Sequence, residues 1–304
     1  MPMTHDEVAA LLARVPQWAD SSIALHALHG GITNTNWVAE VEGSRFVVRV
    51  PGERTELLCI DRANEVEAAT RAAELGIGPG IADVLPDVGT LITAFVSGRH
   101  LDPEPFNQRI GDVVPLLQRF HSSGPLRGRF PIHRVVEWHA RDAAANGVQP
   151  PAVYQRLLAD SLRIERAFAA APMAPVPCHN DLLPGNVLFT DDGRAWLLDF
   201  EYAGMNDRFF DLGNLSVNCG LDEAGDRELL QLYFGEVTAA RWARLQLMKV
   251  MSEFREGMWA VVQQAISTLD TDFVAYADER LGNCERLARG PEFEQWLLDA
   301  AHPA

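Results

Sequence analysis

The first third of the chain carries the residue pattern of mixed sheet and helix, and the remainder carries mostly helical spacing. Trp37 to Val41 and Arg45 to Val50 are rich in Val, Phe and Trp, and Glu42-Gly43-Ser44 between them is turn chemistry, which predicts a hairpin ended by Pro51-Gly52. Asp61 is placed to cap a helix from Arg62 to Leu75 that closes at Gly76, with Val66, Ala69 and Ala73 on one face. Gly80 to Leu85 and Gly89 to Val96 read as two further strands around Pro86-Asp87. After Ser97-Gly98 the pattern turns helical. Val113 to His121 continues a helix that Pro115 is expected to kink or restart. Ala152 to Ala171 carries Leu157, Leu158, Leu162, Ile164 and Phe168 at amphipathic spacing. Short strands return at Val187 to Thr190 and Ala195 to Phe200 around Asp191-Asp192-Gly193, and everything from about Asp222 onward is helical in composition.

This order predicts an α+β protein of two lobes, with a boundary near Phe95 to Gly98. Residues 1–96 would form a small antiparallel-sheet lobe that binds nucleotide, and residues 97–304 a larger, mainly helical lobe with the catalytic loop and acceptor pocket. A strand-rich first lobe, a hinge and a helical second lobe interrupted by one hairpin that carries acids is the order of parts in kinases.

Composition narrows the chemistry. The net charge of −16, from 26 Lys plus Arg against 42 Asp plus Glu, argues against a nucleic-acid or anionic-membrane surface and suits a cationic substrate, although acidity also serves solubility. Cys59, Cys178, Cys219 and Cys284 show no CxxC spacing, so neither a zinc cage nor a disulfide framework is signalled. Met1 to Ala19 has no basic start followed by an apolar run, and no segment has the roughly 18 apolar residues of a membrane span, so a soluble cytoplasmic protein is expected. The one lysine, Lys249, lies between Met248 and Val250, which excludes a Walker A loop.

The strongest chemical signal is Cys178-His179-Asn180-Asp181-Leu182-Leu183-Pro184-Gly185-Asn186-Val187-Leu188, followed by Leu197-Leu198-Asp199-Phe200-Glu201. Phosphoryl transfer from ATP needs a base or orienting group at the acceptor hydroxyl and ligands for Mg2+ on the phosphates. Asp181 and Asn186 on a tight Pro-Gly loop are candidates for the base and one ligand, and Asp199, returned by the hairpin, for the second ligand. Each alone is an ordinary turn or cap residue; their spacing makes the catalytic interpretation the better one.

HNDLLPGN and LLDFEYAGMNDRFFDLGNLSVN (Leu197 to Asn218) resemble the choline/ethanolamine kinase family, bacterial choline-kinase type, within the aminoglycoside-phosphotransferase superfamily. So do His29-Gly30-Gly31-Ile32-Thr33-Asn34, RFVVRVPG from Arg45 to Gly52, Ile60-Asp61-Arg62 with Glu65, and the stretch from Arg255 to Tyr276. The resemblance implies a protein-kinase-like fold, with Asp181 as base, Asn186 and Asp199 as magnesium ligands, and Asp211 as the acid bracing the catalytic loop. It puts Arg49 where protein kinases carry a phosphate-binding lysine, with Glu65 as its ion-pair partner. A single lysine in the chain agrees with arginine in that role, since Arg binds phosphate oxygens bidentately. Gly30, Gly31, Thr33 and Asn34 would form the turn over the phosphates, and Ala94, Phe95 and Val96 the hinge that meets adenine.

A quaternary ammonium calls for aromatic faces plus a carboxylate. Trp259, Tyr202 and Phe254 are the candidate aromatics, with Glu253 or Glu256 for charge, Glu201 beside them, and Trp138 and Tyr276 as further aromatics. Choline is the favoured acceptor; ethanolamine, thiamine or an aminoglycoside are alternatives, as is a non-catalytic pseudokinase. A metal hydrolase built on His179, Asp181 and Asp199 lacks a second histidine at ligand spacing, so His179 is expected to position the loop.

Overall fold

The computed structural model describes residues 3–28 and 33–304. Helix α1 (His5–Leu12) opens with a capping box: Thr4 accepts from the Glu7 N–H, and the Glu7 carboxylate accepts from the Thr4 N–H at 2.7 Å. There follow strands β1 (Ile23–Leu28), β2 (Asn34–Val41) and β3 (Ser44–Pro51), helix α2 (Arg62–Glu74), and strands β4 (Ile81–Leu85) and β5 (Thr90–Ala94). The five strands form one antiparallel sheet in the order β1-β2-β3-β5-β4.

The hairpin predicted from Glu42-Gly43-Ser44 is tighter than expected. Val41 pairs directly with Ser44, so the loop is Glu42-Gly43 alone, both at positive φ of 51° and 80°. Two successive left-handed residues match the right-handed twist of the strands, and glycine meets that need at the second position. Asp61 caps α2 by accepting from the N–H groups of Ala63 and Asn64, and Gly76 ends it at φ 64°. The buried stripe of α2 is Asn64, Glu65, Ala68, Ala69 and Ala72, not Val66 and Ala73, because both polar side chains find partners: Glu65 pairs with Arg49 and Arg62 in its own lobe, and Asn64 reaches the other lobe. Asn64 donates to Ala203 O and accepts from the Gly128 N–H at 2.9 Å.

The larger lobe comprises α3 (Pro103–Asn107), α4 (Ile110–His121), α5 (Ile132–Ala145), α6 (Tyr154–Ala170), β6 (Val176–Cys178), β7 (Val187–Phe189), β8 (Ala195–Leu197), β9 (Gly204–Asn206), α7 (Arg208–Asn218), α8 (Glu223–Phe234), α9 (Ala239–Ile266), α10 (Phe273–Ala288) and α11 (Phe293–Ala300). Pro115 sits inside α4, which starts five residues earlier, and does not restart it. Strands β6 and β9 pair, as do β7 and β8.

Two cores result. One seals α1 against the sheet through Val8, Leu12, Trp18, Trp37, Val48 and Ile92. The other joins the alanine face of α2 to the helical lobe, so α2 belongs energetically to both halves. Helix α9 is buried on nearly all sides and carries charged residues inward. The only lysine of the sequence is spent there: Lys249 Nζ lies 2.6 Å from the buried Asp226 carboxylate, a structural pair. Among the described residues no helix is long and apolar enough to cross a membrane.

Candidate active site

Strand β6 ends at Cys178, and the chain then turns through Asn180 at φ 64°, a left-handed conformation that asparagine tolerates. One face of α7 holds this loop. The buried Asp211 carboxylate accepts from the N–H groups of His179 at 2.8 Å and Asn180 at 2.7 Å and from His121 Nε2 at 2.9 Å. Asn214 accepts from the Leu182 N–H at 2.5 Å, and Asn218 donates to Leu182 O at 3.1 Å. Positions 211, 214 and 218 share a helix face by period, so one helix grips the loop on both sides of Asp181. His179 donates to Leu198 O at 2.8 Å, a loop-positioning contact.

The β7–β8 hairpin returns the chain as expected. Leu198 N–H donates to Asn186 O at 2.9 Å, which sets Asp199 beside Asn186. Asn186 Nδ2 donates to the Asp181 main-chain oxygen at 2.8 Å and to its carboxylate at 3.1 Å. The Asn186 side-chain oxygen accepts nothing among the described residues. Asp199 lies outside the strand at φ 60° and is ion-paired to Arg49. Burial, reinforced by Glu256 and Asp199, raises the Asp181 carboxyl to about 7, against the lowering pull of Arg255.

Arg49 on β3 bridges Glu65 and Asp199, so strand, helix α2 and the acidic loop meet at one guanidinium. Arg62, which sequence reasoning assigned no role, completes the network. It lies 2.7 Å from Glu65 and 3.3 Å from Glu201, and it donates to Asn34 at 3.0 Å. Asn34 in turn donates to Glu201 at 2.8 Å. Burial and the neighbouring Asp199 push the Glu201 carboxyl up to about 7, opposed by Arg49 and Arg62. The Asn34 side chain is therefore committed across the cleft, and Glu201 is held in this network where it borders the cavity.

A cavity of about 850 Å³ lies along these groups. Val47, Leu91, Ala94, Phe95, Val96 and Leu188 give it an apolar wall; Thr33, Arg49, Asp181, Asn186, Asp199 and Glu201 a polar one; Tyr202, Glu256, Trp259, Phe273 and Tyr276 an aromatic one. The expected Gly30 and Gly31 lie outside the described residues. In the expected hinge, the N–H groups of Ala94 and Phe95 already donate to Gly80 O and Arg45 O, at 2.8 and 3.0 Å. Of those three N–H groups, only that of Val96 lacks a backbone partner among the described residues.

The aromatic wall corrects the expected acceptor set. Glu253 and Phe254 do not line the cavity: Glu253 pairs with Arg280 at 3.3 Å, and Phe254 packs near Tyr154, 6.0 Å between centroids. At about 100° per residue, positions 255, 256 and 259 of α9 share a face from which 253 and 254 point away. Trp138 lies in a separate, smaller pocket with Cys59 and Phe130. Trp259 stands edge-on to Phe273 and Tyr276, with centroids 5.9 and 6.2 Å away at 75° and 70°, and donates to the Tyr202 hydroxyl at 3.0 Å. Phe273, absent from the sequence expectations, begins α10 and is visible only once α9 and α10 are packed.

A five-stranded sheet facing a helical lobe across a cleft, with Asp181, Asn186 and Asp199 together in that cleft, defines a protein-kinase-like phosphotransferase architecture. The chain belongs to the phosphotransferase enzyme family, whose model matches residues 24–247, and within it to the choline/ethanolamine kinases. The crystal structure of a choline/ethanolamine kinase family protein from Mesorhizobium loti is 32% identical, with 98% of this chain and 99% of that one aligned at a TM-score of 0.83. Mouse ethanolamine kinase 2 is 27% identical over 86% of this chain and 75% of its own length. Protein LicA of Haemophilus influenzae is 27% identical over 83% and 76%. The chain is therefore a small-molecule kinase.

Proposed function

We propose that the protein transfers the γ-phosphoryl group of ATP, with magnesium, to the hydroxyl of a small amino alcohol, choline ahead of ethanolamine. Residues 1–96 serve as the nucleotide lobe and residues 97–304 as the lobe that carries catalytic loop and acceptor pocket. The observation that carries this proposal is the convergence of Asp181, Asn186 and Asp199 on a cavity whose adjoining wall is aromatic.

The donor set fits magnesium. Asn186 has an uncommitted side-chain oxygen because its nitrogen is spent on Asp181, and Asp199 offers a carboxylate beside it. Magnesium takes hard oxygen ligands, commonly one or two from protein and the rest from phosphate and water. Bound there, the ion would neutralise charge developing on the transferred group. Arg49, held by Glu65, turns its other nitrogen from Asp199 to phosphate oxygens when ATP enters. Apolar side chains and the Val96 N–H receive adenine.

Asp181 takes the hydroxyl proton as the acceptor oxygen attacks the γ-phosphorus, and ADP leaves from the opposite side. A carboxyl raised to about 7 is matched to proton transfer near neutrality, an effect typically worth about 10² to 10⁴ in rate. The cationic head lies among Trp259, Phe273 and Tyr276, with Glu256 supplying the opposing charge. The Trp259 ring, edge-on to both Phe273 and Tyr276, suits a trimethylammonium group, each contact contributing roughly 0.5 to 2 kcal/mol when desolvated.

The test is ADP release against a panel of choline, ethanolamine, thiamine and an aminoglycoside, with and without magnesium. Choline should give the highest kcat/KM and ethanolamine the next. Preference for the aminoglycoside, or no turnover of any amine, would refute the proposal.

A further inference from the structure

Arg255 and Glu256 are neighbours on α9 whose side chains meet at the cavity wall. One guanidinium nitrogen, Arg255 Nη1, donates to Asp181 Oδ1 at 3.0 Å and to Glu256 Oε1 at 2.5 Å. The same guanidinium lies over the Tyr202 ring, 4.2 Å from its centroid. The second oxygen of Glu256 accepts from the Tyr276 hydroxyl at 3.2 Å. Arg255 is buried, and its Nε and Nη2 have no hydrogen-bond partner among the described residues. Its orientation is therefore set by two carboxylates and aromatic rings, and by no main-chain acceptor.

That geometry divides the Asp181 carboxylate between two holders. Asn186 Nδ2 fixes one oxygen and Arg255 Nη1 the other. The first holder comes from the loop itself. The second comes from the helix that forms the acceptor wall, through a nitrogen that Glu256 shares.

We propose that Arg255 is a positioning residue that couples occupation of the acceptor pocket to placement of the Asp181 carboxylate. The proposal rests on the amino-alcohol assignment made above. With the pocket empty, Nη1 is shared between Glu256 and Asp181. A cationic head beside Glu256 competes for that carboxylate and leaves Nη1 to Asp181, which fixes the base when a hydroxyl is present to receive. Arginine suits the task because its planar fork can stack on Tyr202 while one edge bonds two carboxylates, which a lysine ammonium cannot reproduce.

The experiment is a kinetic double-mutant cycle with choline and ethanolamine as acceptors at saturating ATP and magnesium, using R255Q, R255K, E256Q and R255Q/E256Q, with ATP KM and melting temperature measured for each. R255Q should lower kcat about 100-fold with ATP KM within about threefold of wild type, and R255K should recover about tenfold of that loss. E256Q should raise acceptor KM about tenfold or more and lower kcat about threefold or more. The double variant should have a kcat within about twofold of R255Q alone, since the link is already broken.

Multiplicative losses in kcat would overturn the coupling, as would an R255Q variant that changes only acceptor KM. If R255Q does not fold, R255K/E256Q against its single variants makes the same comparison, and multiplicative losses there overturn the coupling in the same way. The underlying assignment is separable: a wild type that turns over no amine removes both claims, whereas an active wild type with multiplicative variants removes the coupling alone.

Discussion

Asp211 is the residue that holds the loop around Asp181 from both preceding main-chain N–H groups, and Asp211→Asn isolates that contribution. The carboxylate is fully buried and accepts three N–H groups, two of them from the main chain immediately before Asp181. An asparagine of the same size keeps one acceptor oxygen and turns an NH2 toward a main-chain N–H, so one donor is left buried without a partner. Hydrogen bonds to a charged group are worth about 1.5 to 3 kcal/mol, and a buried unsatisfied donor costs about 1 to 3 kcal/mol. Weakening two such bonds and orphaning one donor therefore destabilises the fold by about 3 to 6 kcal/mol, much of the usual total of about 5 to 15 kcal/mol. At about 2 to 4 °C per kcal/mol, the melting temperature should fall by about 6 to 24 °C. Since the loosened segment leads into Asp181, kcat measured well below the melt should also fall, by about 10- to 100-fold. Scanning fluorimetry with and without ATP, beside a coupled ADP-release assay, reads both effects. A melting temperature within about 2 °C of wild type, or a full melt shift with unchanged kcat, would refute the bracing argument.

Two further outcomes follow from packing and burial. Gly213→Ala on α7 would place a Cβ 2.7 Å from Met248 C and 2.9 Å from Lys249 N, main-chain atoms that cannot rotate away, so a loss of about 1 to 3 kcal/mol is expected; an unchanged thermal melt would contradict that close approach. Burial lowers His133 from 6.5 to about 4, and burial together with Arg255 lowers His139 to about 3. Both folded values are depressed, so well above pH 6.5 neither histidine makes stability depend on pH; below it the unfolded chain binds protons that the folded chain refuses, and stability falls as pH drops toward 4. At about 1.4 kcal/mol per pH unit for each group, a urea-melt series from about pH 7 to about pH 4 should fall less steeply for His139→Gln than for wild type, and equal slopes would contradict the burial argument.

Much of this architecture is written in local pattern. The β2–β3 hairpin, the Asp61 cap and the Asp181–Asn186 loop with its returning hairpin depend on residues within a few positions of one another, and each forms where the spacing places it. The α7 brace is only partly so: the family resemblance points to Asp211, whereas Asn214 and Asn218 reach the loop across more than 30 residues of chain and show themselves only in the packed structure. The aromatic wall of the cavity is less legible. Helix α9 is buried almost all round, so it lacks the amphipathic contrast that tells one face from another, and Glu253 competed with Glu256 on equal terms. Arg62, Glu201 and Asn34 meet only when sheet, α2 and acidic loop are assembled, and no spacing along the chain announces them. Phe273 belongs to the wall through the packing of α10 on α9, a tertiary event.

Side-by-side calorimetry and turnover on Asp181→Asn address whether this carboxylate receives the acceptor proton. The variant should bind magnesium–ATP with wild-type affinity, since Arg49, Glu65 and Asp199 are untouched and Asn186 keeps its bond to the main-chain oxygen of residue 181, and should lose about 10² to 10⁴ in kcat with choline or ethanolamine. Turnover within a few-fold of wild type, with the nucleotide still bound, would mean that proton transfer runs through some other group.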